Sequence, residues 1–239
     1  MARKSTWVLV SVLVIVGLLI GSFGCAQPEI PPTTPSAPAP PAPPAPAPPT
    51  PAPPAPTPTP TPGETLGEIL GRAAGIASVK YDMVITSPGM PTMTQKMWVK
   101  QNKMRTEMTQ QGQTQVILVD IDAQTMYVYM PEQNIAMKVN FAQAPKSATE
   151  EAGAILNYNP TVVGTETIDG KVCLVVEYTV EGTATKAWIW QEYGFPIRVE
   201  VTTTAGKTTV EYENIEFVDI PDSMFELPAG VQIIEQPGS

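Results

Sequence analysis

The sequence predicts an α+β domain: a strongly curved antiparallel β-sheet, an open half-barrel of about eleven strands, with short helices covering it. Three observations predict it. Apolar and polar residues alternate with a period of two over most of 78–217. The alternating runs are separated by turn pairs such as Gln101-Asn102, Asp169-Gly170, Glu181-Gly182 and Ala205-Gly206. Only two short stretches carry a helical period instead. A sandwich of two sheets is the competing architecture.

The elements follow in order. Over Thr65–Ala77, Leu66, Ile69, Leu70, Ala73 and Ala74 form a helical stripe, and Thr65 with Glu68 three residues on makes a capping box. Gly67, Gly71 and Gly75 weaken it by about 1 kcal/mol each, so packing must hold it. Tyr81, Met83 and Ile85 then start the two-residue period. Strands are predicted at Met93–Lys100, Lys103–Thr109, Gln115–Val119, Thr125–Met130 and Ile135–Val139. Ser147–Leu156 reads as a second short helix. Strands resume at Val163–Ile168, Val172–Val180, Ala184–Gln191, Phe195–Thr203, Lys207–Glu213 and Ile215–Phe217, with a final turn at Ser223–Leu227 closed by Pro228.

This domain, residues 64–239, is preceded by two segments of other character. Met1–Lys4 is basic and Trp7–Phe23 is apolar apart from Ser11 and Ser22, which marks 1–24 as a signal peptide. Its end resembles the bacterial lipobox, with Gly24 just before Cys25, although Ser22 and Phe23 stand where that pattern has Leu and a small residue. The resemblance implies a palmitate-type lipid attached at Cys25. An uncleaved anchor with its basic end inside is the other reading. Residues 25–63 are a proline-rich tract. Pro28–Pro62 holds 19 prolines, which exclude helix and sheet and leave polyproline II. At ~3.1 Å per residue it forms a tether reaching on the order of 100 Å. Its threonines are possible O-glycan sites, and an aromatic-groove ligand is an alternative use.

Charge and composition exclude several functions. The leader holds only Arg3 and Lys4, so the formal charge of -9 becomes -11 from Cys25 onward. An acidic body with no basic stripe argues against nucleic acid and against an electrostatic grip on anionic lipid heads. Histidine is absent, which removes the commonest general base and metal ligand. No Ser/His/Asp set, phosphate loop or zinc spacing occurs. The expectation is a non-enzyme with no cofactor and no metal. Glu150-Glu151 is read as starting or solvating a helix and Asp120/Asp122 as flanking a turn. Cys173 is read as an inert thiol, opposite in phase to Leu174.

The candidate site residues are methionines. Nine of eleven fall between Met83 and Met137. Met93/Met97, Met104/Met108 and Met126/Met130 are each four apart, so each pair shares a strand face, and Met83 and Met137 lie on the apolar phase of their strands. Methionine is flexible and polarisable and suits a surface that adapts to its contents. One reading is a soft apolar cavity for an acyl chain; the other is ordinary core filling. Cu(I) ligation would need thioethers converging on one point. In the second half the apolar phase adds Leu174, Val176, Trp188 and Trp190 as candidate lining residues, with core packing the alternative for the tryptophans.

Five segments together carry a family resemblance: WVKQNKMRTEM (98–108), MYVYMPEQNIAMKV (126–139), GTETIDGKVCLVVEY (164–178), AWIWQEYGFPIRVE (187–200) and FELPAG (225–230). Their strand lengths, turns and Gly-Phe-Pro resemble the LolA-like lipoprotein-carrier superfamily. The resemblance implies a half-barrel around an apolar cavity, binding acyl chains or acylated molecules, with envelope sensors among its members. A tethered chain is not a diffusing shuttle. The expectation is therefore a monomeric, membrane-anchored extracytoplasmic lipoprotein that binds a lipid-class ligand, the alternative being a sensor or scaffold for a protein partner.

Overall fold

The computed structural model describes residues 64–141 and 145–235. The expected signal peptide (1–24), the lipid attachment at Cys25 and the tether (25–63) lie outside the described residues. Helix α1 spans Leu66–Ala73 and opens with the predicted capping box, Thr65 accepting from the Glu68 amide and Glu68 accepting from the Thr65 amide. Twelve strands follow: β1 (Ser78–Thr86), β2 (Met93–Lys100), β3 (Lys103–Gln110), β4 (Gln113–Asp120), β5 (Thr125–Met130), β6 (Ile135–Asn140), β7 (Thr161–Ile168), β8 (Lys171–Val180), β9 (Thr183–Trp190), β10 (Phe195–Thr203), β11 (Gly206–Glu216) and β12 (Gln232–Glu235). Helix α2 (Ala148–Ala154) lies between β6 and β7 and has its own capping box, Ser147 with Glu150.

All twelve strands join one sheet in the order β12-β6-β5-β4-β3-β2-β1-β11-β10-β9-β8-β7. The chain builds one meander outward from β1 to β6, crosses through α2, and builds a second back from β7 to β11. The meanders meet where β11 pairs antiparallel with β1. β7 and β12 stand at opposite edges and do not pair, so the half-barrel is open. Tight turns keep consecutive strands adjacent. At Asp169-Gly170 both residues have positive φ (48° and 76°), the geometry whose twist matches a two-residue hairpin.

The strand count exceeds the expectation by one. β12 is missed because Gln232–Glu235 is exposed at every position and has no alternation; it is held by parallel pairing with β6 and the Lys138–Glu235 ion pair. The segment before it explains how it gets there. Residues 218–231 cross the outer side of the first meander. Lys100 pins them by donating to the Ile220 carbonyl (2.7 Å) and pairing with Asp222 (3.0 Å), and Arg105 Nη1 donates to the Met224 carbonyl (2.9 Å). Leu227 and Val231 then pack on Val116, Leu118, Tyr129 and Ala136. The predicted separate strand at Ile215–Phe217 is instead largely the end of β11.

The main core lies on the inner face, the side on which the helices pack. α1 and α2 bury Ile69, Leu70, Ala73, Ala152 and Ile155 against Leu174, Val176, Ala187 and Ile189. Beside them Tyr81, Phe195 and Tyr212 form an aromatic knot, with ring centroids 5.4–5.8 Å apart and edge-on to one another. The same cluster continues into Val79, Met83, Ile85, Val99, Met104 and Val119 of the first meander.

Candidate ligand site on the inner face

Strand register decides which side chains share a surface, because directly paired residues point to the same side. Tyr81 pairs with Met97, Ile85 with Met93 and Met83 with Gln95. Gln95 pairs with Met108 and Val99 with Met104. Met104 pairs with Val119, and Val119 with Met126. Val128 pairs with Met137, and Met130 with Ile135. Met83, Met93, Met97, Met104, Met108, Met126, Met130 and Met137 therefore all stand on the inner face, on β1, β2, β3, β5 and β6. Met83, Met104 and Met108 are buried; the other five are half-buried. Two thioethers take polar contacts, Met97 from the Thr106 hydroxyl (3.0 Å) and Met93 from the Gln110 amide (3.4 Å).

The remaining four candidates divide. Leu174 and Val176 are on the inner face but already lie beneath α1 and α2, so the helices occupy that half. Trp188 and Trp190 are on the outer face. Val175 pairs with Trp188 and Cys173 with Trp190, whereas Leu174 pairs with Ile189 and Val176 with Ala187. The expectation that both tryptophans share a surface with Leu174 is corrected by this register. The inner residues of β9 are small or branched, Thr185, Ala187 and Ile189, because helices must come close there. Trp188 instead packs with Cys173, Val175 and Ile197, donates to Glu166 Oε2 (2.6 Å) and lies under the cations of Lys186 and Arg198. Ile197 joins this cluster because a register shift between Pro196 and Arg198 turns it outward. Cys173 sits in this outer cluster, fully buried, and burial raises its thiol to about 12, consistent with an inert side chain.

One group that sequence reasoning set aside reaches the inner face. Glu150 caps α2 and Glu151 stands exposed in its first turn, as expected. Ala148, Ala152 and Ile155 form the buried stripe, which puts residue 151 on its flank, where its charge acts on Tyr81, Tyr178 and Tyr212. That helical spacing was the available signal. Desolvation by surrounding protein raises the Glu151 carboxyl to about 7, with Lys146 pulling it down and Glu150 pushing it up. The residue is nevertheless exposed to solvent. Burial first, and Glu151 second, hold the three phenols above their usual range.

Two predictions test this geometry. Glu151 binds its proton more tightly in the folded chain than in the unfolded one. Stability should therefore fall as pH rises between the ordinary glutamate value of 4.5 and about 7. Relative to wild type, Glu151→Gln should raise the urea midpoint at pH 8 and change it little at pH 5; an equal shift at both values would mean that folding does not raise this carboxyl. Separately, the Thr185 hydroxyl is buried at 3 % exposure and has no hydrogen-bond partner among the described residues. Thr185→Val should stabilise the unliganded protein by about 1 kcal/mol, read by urea unfolding, because a buried unpaired hydroxyl costs about that much.

The fold and this face define a class: an open antiparallel half-barrel with helices over one half of its inner surface and methionines over the other. Residues 80–194 match the model of a family described as a domain of unknown function, DUF4412. No curated protein matches the chain. Among solved structures, an uncharacterized conserved protein from Thermus thermophilus is similar in fold, with a TM-score of 0.53 at 11% identity over 71% of this chain and 98% of that one. LprF from Mycobacterium bovis aligns with a TM-score of 0.45 at 15% identity, covering 70% of this chain and 95% of its own. The Pseudomonas aeruginosa MucA/MucB complex aligns at 0.47 and 14% identity, covering 71% and 63%. These likenesses concern the fold.

Proposed function

We infer that this is an extracytoplasmic lipoprotein, held to the membrane through Cys25 and lifted from it by the 25–63 tether, whose half-barrel binds a hydrophobic ligand of lipid or acyl type without catalysing a reaction on it. The observation that carries the reading is the gathering of eight methionines, from five strands, onto one side of the sheet. A β-domain core filled only for stability favours branched side chains with defined rotamers; unbranched thioethers suit a wall that repacks around different chains. Five of these methionines remain half-buried, whereas Leu174 and Val176 on the helix side are closed off. The LolA-like pattern of the sequence and the lipobox-like end of the leader support the same reading. It works as a monomer that receives or holds its ligand at the membrane it is anchored to.

Native mass spectrometry of the chain purified from a bacterial host, before and after organic extraction, tests it. A co-purifying mass released by extraction is the expected result. A clean apo mass that stays apo when offered phospholipid would overturn it and leave a protein-binding sensor or scaffold as the better account.

A further inference from the structure

The first meander sorts its polar groups between its two faces by charge. Every charged side chain of β1 to β6 stands on the outer face: Asp82 pairs across the strands with Lys96, Lys96 with Glu107 and Lys103 with Asp120, and the others keep the same phase. The inner face has polar side chains too, but they are uncharged. Four of them are glutamines gathered at one end of the strands. Met83, Gln95, Met108 and Gln115 form one row across β1 to β4, and Gln110 pairs with Gln113 in the next row. Gln110 and Gln113 are exposed beside the β3–β4 turn, Gln115 is half-buried and Gln95 is only 5 % exposed. The amides therefore run from the rim of the sheet down between Met83 and Met108.

Gln95 is the group that lacks a partner. Its side-chain amide offers two donors and an acceptor, yet it makes no hydrogen bond among the described residues. A buried amide without a partner destabilises a fold, so a leucine would serve a simple core better. Gln110 donates to the Met93 sulfur (3.4 Å), a weak acceptor that a hydroxyl oxygen would displace.

We propose that these glutamines hold the head of the ligand and that this head is an uncharged polyol, a sugar or a glycerol, with the alkyl chain running on from Gln95 along Met97, Met104 and Met126. This assignment rests on the apolar-ligand reading above and names the head group which that reading leaves open. Hydroxyls both donate and accept, which matches a set of primary amides. An ionic head would leave water for a surface with no counter-charge, a cost that neutral amides do not offset.

The test uses the full chain in polyoxyethylene-ether micelles, with dodecyl maltoside, dodecyl glyceryl ether, dodecyl sulfate and dodecyltrimethylammonium added at equal concentration and bound adducts counted by native mass spectrometry. The four share one alkyl chain and differ in the head. The hydroxylated heads should be favoured roughly tenfold over the ionic ones, the size of one or two amide–hydroxyl bonds. Preference for both hydroxylated probes, or for one alone, supports the site; one alone tells a sugar source from a glycerol source. Gln95→Leu should remove most of the preference while raising the urea midpoint of the unliganded protein, so that lost binding is not lost folding. Gln115→Leu, half-buried in the same row, should act on binding in the same direction. Thr94→Val, exposed on the outer face one residue away, should keep the preference. Equal binding of all four heads, preference for an ionic head, or a preference that Gln95→Leu leaves intact overturns the polyol site and leaves the apolar reading standing. Failure of every probe to bind overturns both.

Discussion

Gly194→Ala should cost about 3–5 kcal/mol of a domain stability expected to be about 5–15 kcal/mol, one of the two largest single-residue effects we expect in the described residues. Gly194 has φ +66°, and a Cβ built there would lie 2.1 Å from the carbonyl oxygen of Ile69 and 3.1 Å from the amide nitrogen of Ala73. Both atoms are backbone, so no side chain can swing aside. The left-handed conformation alone accounts for roughly 1–2 kcal/mol. The remainder comes from pushing α1 off the sheet, which uncovers Ile69, Leu70 and Ala73 and the Leu174, Val176 and Ile189 beneath them. The helix cannot compensate by itself, since eight residues with two internal glycines are far too short to persist without packing. The urea midpoint followed by circular dichroism measures the loss, and a cost below ~2 kcal/mol would mean that α1 is not docked at this point.

The second large effect is expected at Phe195→Ala, at about 3–5 kcal/mol. Phe195 is fully buried, and its ring meets Tyr81, Tyr212 and Phe217 at centroid distances of 5.4–6.0 Å. Truncation opens a void at the point where the two meanders meet, and neighbouring strands tied by ladder hydrogen bonds cannot collapse into it. The informative comparison is Met97→Ala, half-buried on the same face, which should cost far less. If the two substitutions cost the same, the methionine face is as tightly filled as the aromatic knot and the case for a ligand there weakens sharply.

Much of this arrangement is legible in the sequence. The capping box at Thr65, the Asp169-Gly170 hairpin and the shared face of the methionines all follow from local rules: side-chain reach, turn dihedrals and the period of two. What escapes is set by distant partners. β12 has no pattern of its own and exists because the 218–231 crossing delivers it to β6. The outward turn of Ile197 depends on the irregular register beside Pro196. Trp188 and Trp190 look like core by size and apolarity; only the need for small residues beneath α2 sends them to the far side, though Lys186 in the same phase was a sign of it. The raised carboxyl of Glu151 escapes because it depends on the protein packed around the helix start, which an acidic pair in the sequence does not announce.

Among the described residues the sheet ends at β7 and β12 without closing, and this has a mechanical meaning. In a closed barrel, strand number and stagger fix the bore, and no change of width is possible without breaking rungs of the ladder. This sheet has a free lip on each side. Its aperture can widen or narrow through small changes of twist summed over twelve strands, every rung intact, much as the jaws of a calliper slide without parting. A wall of unbranched thioethers is the matching lining for jaws of variable gap.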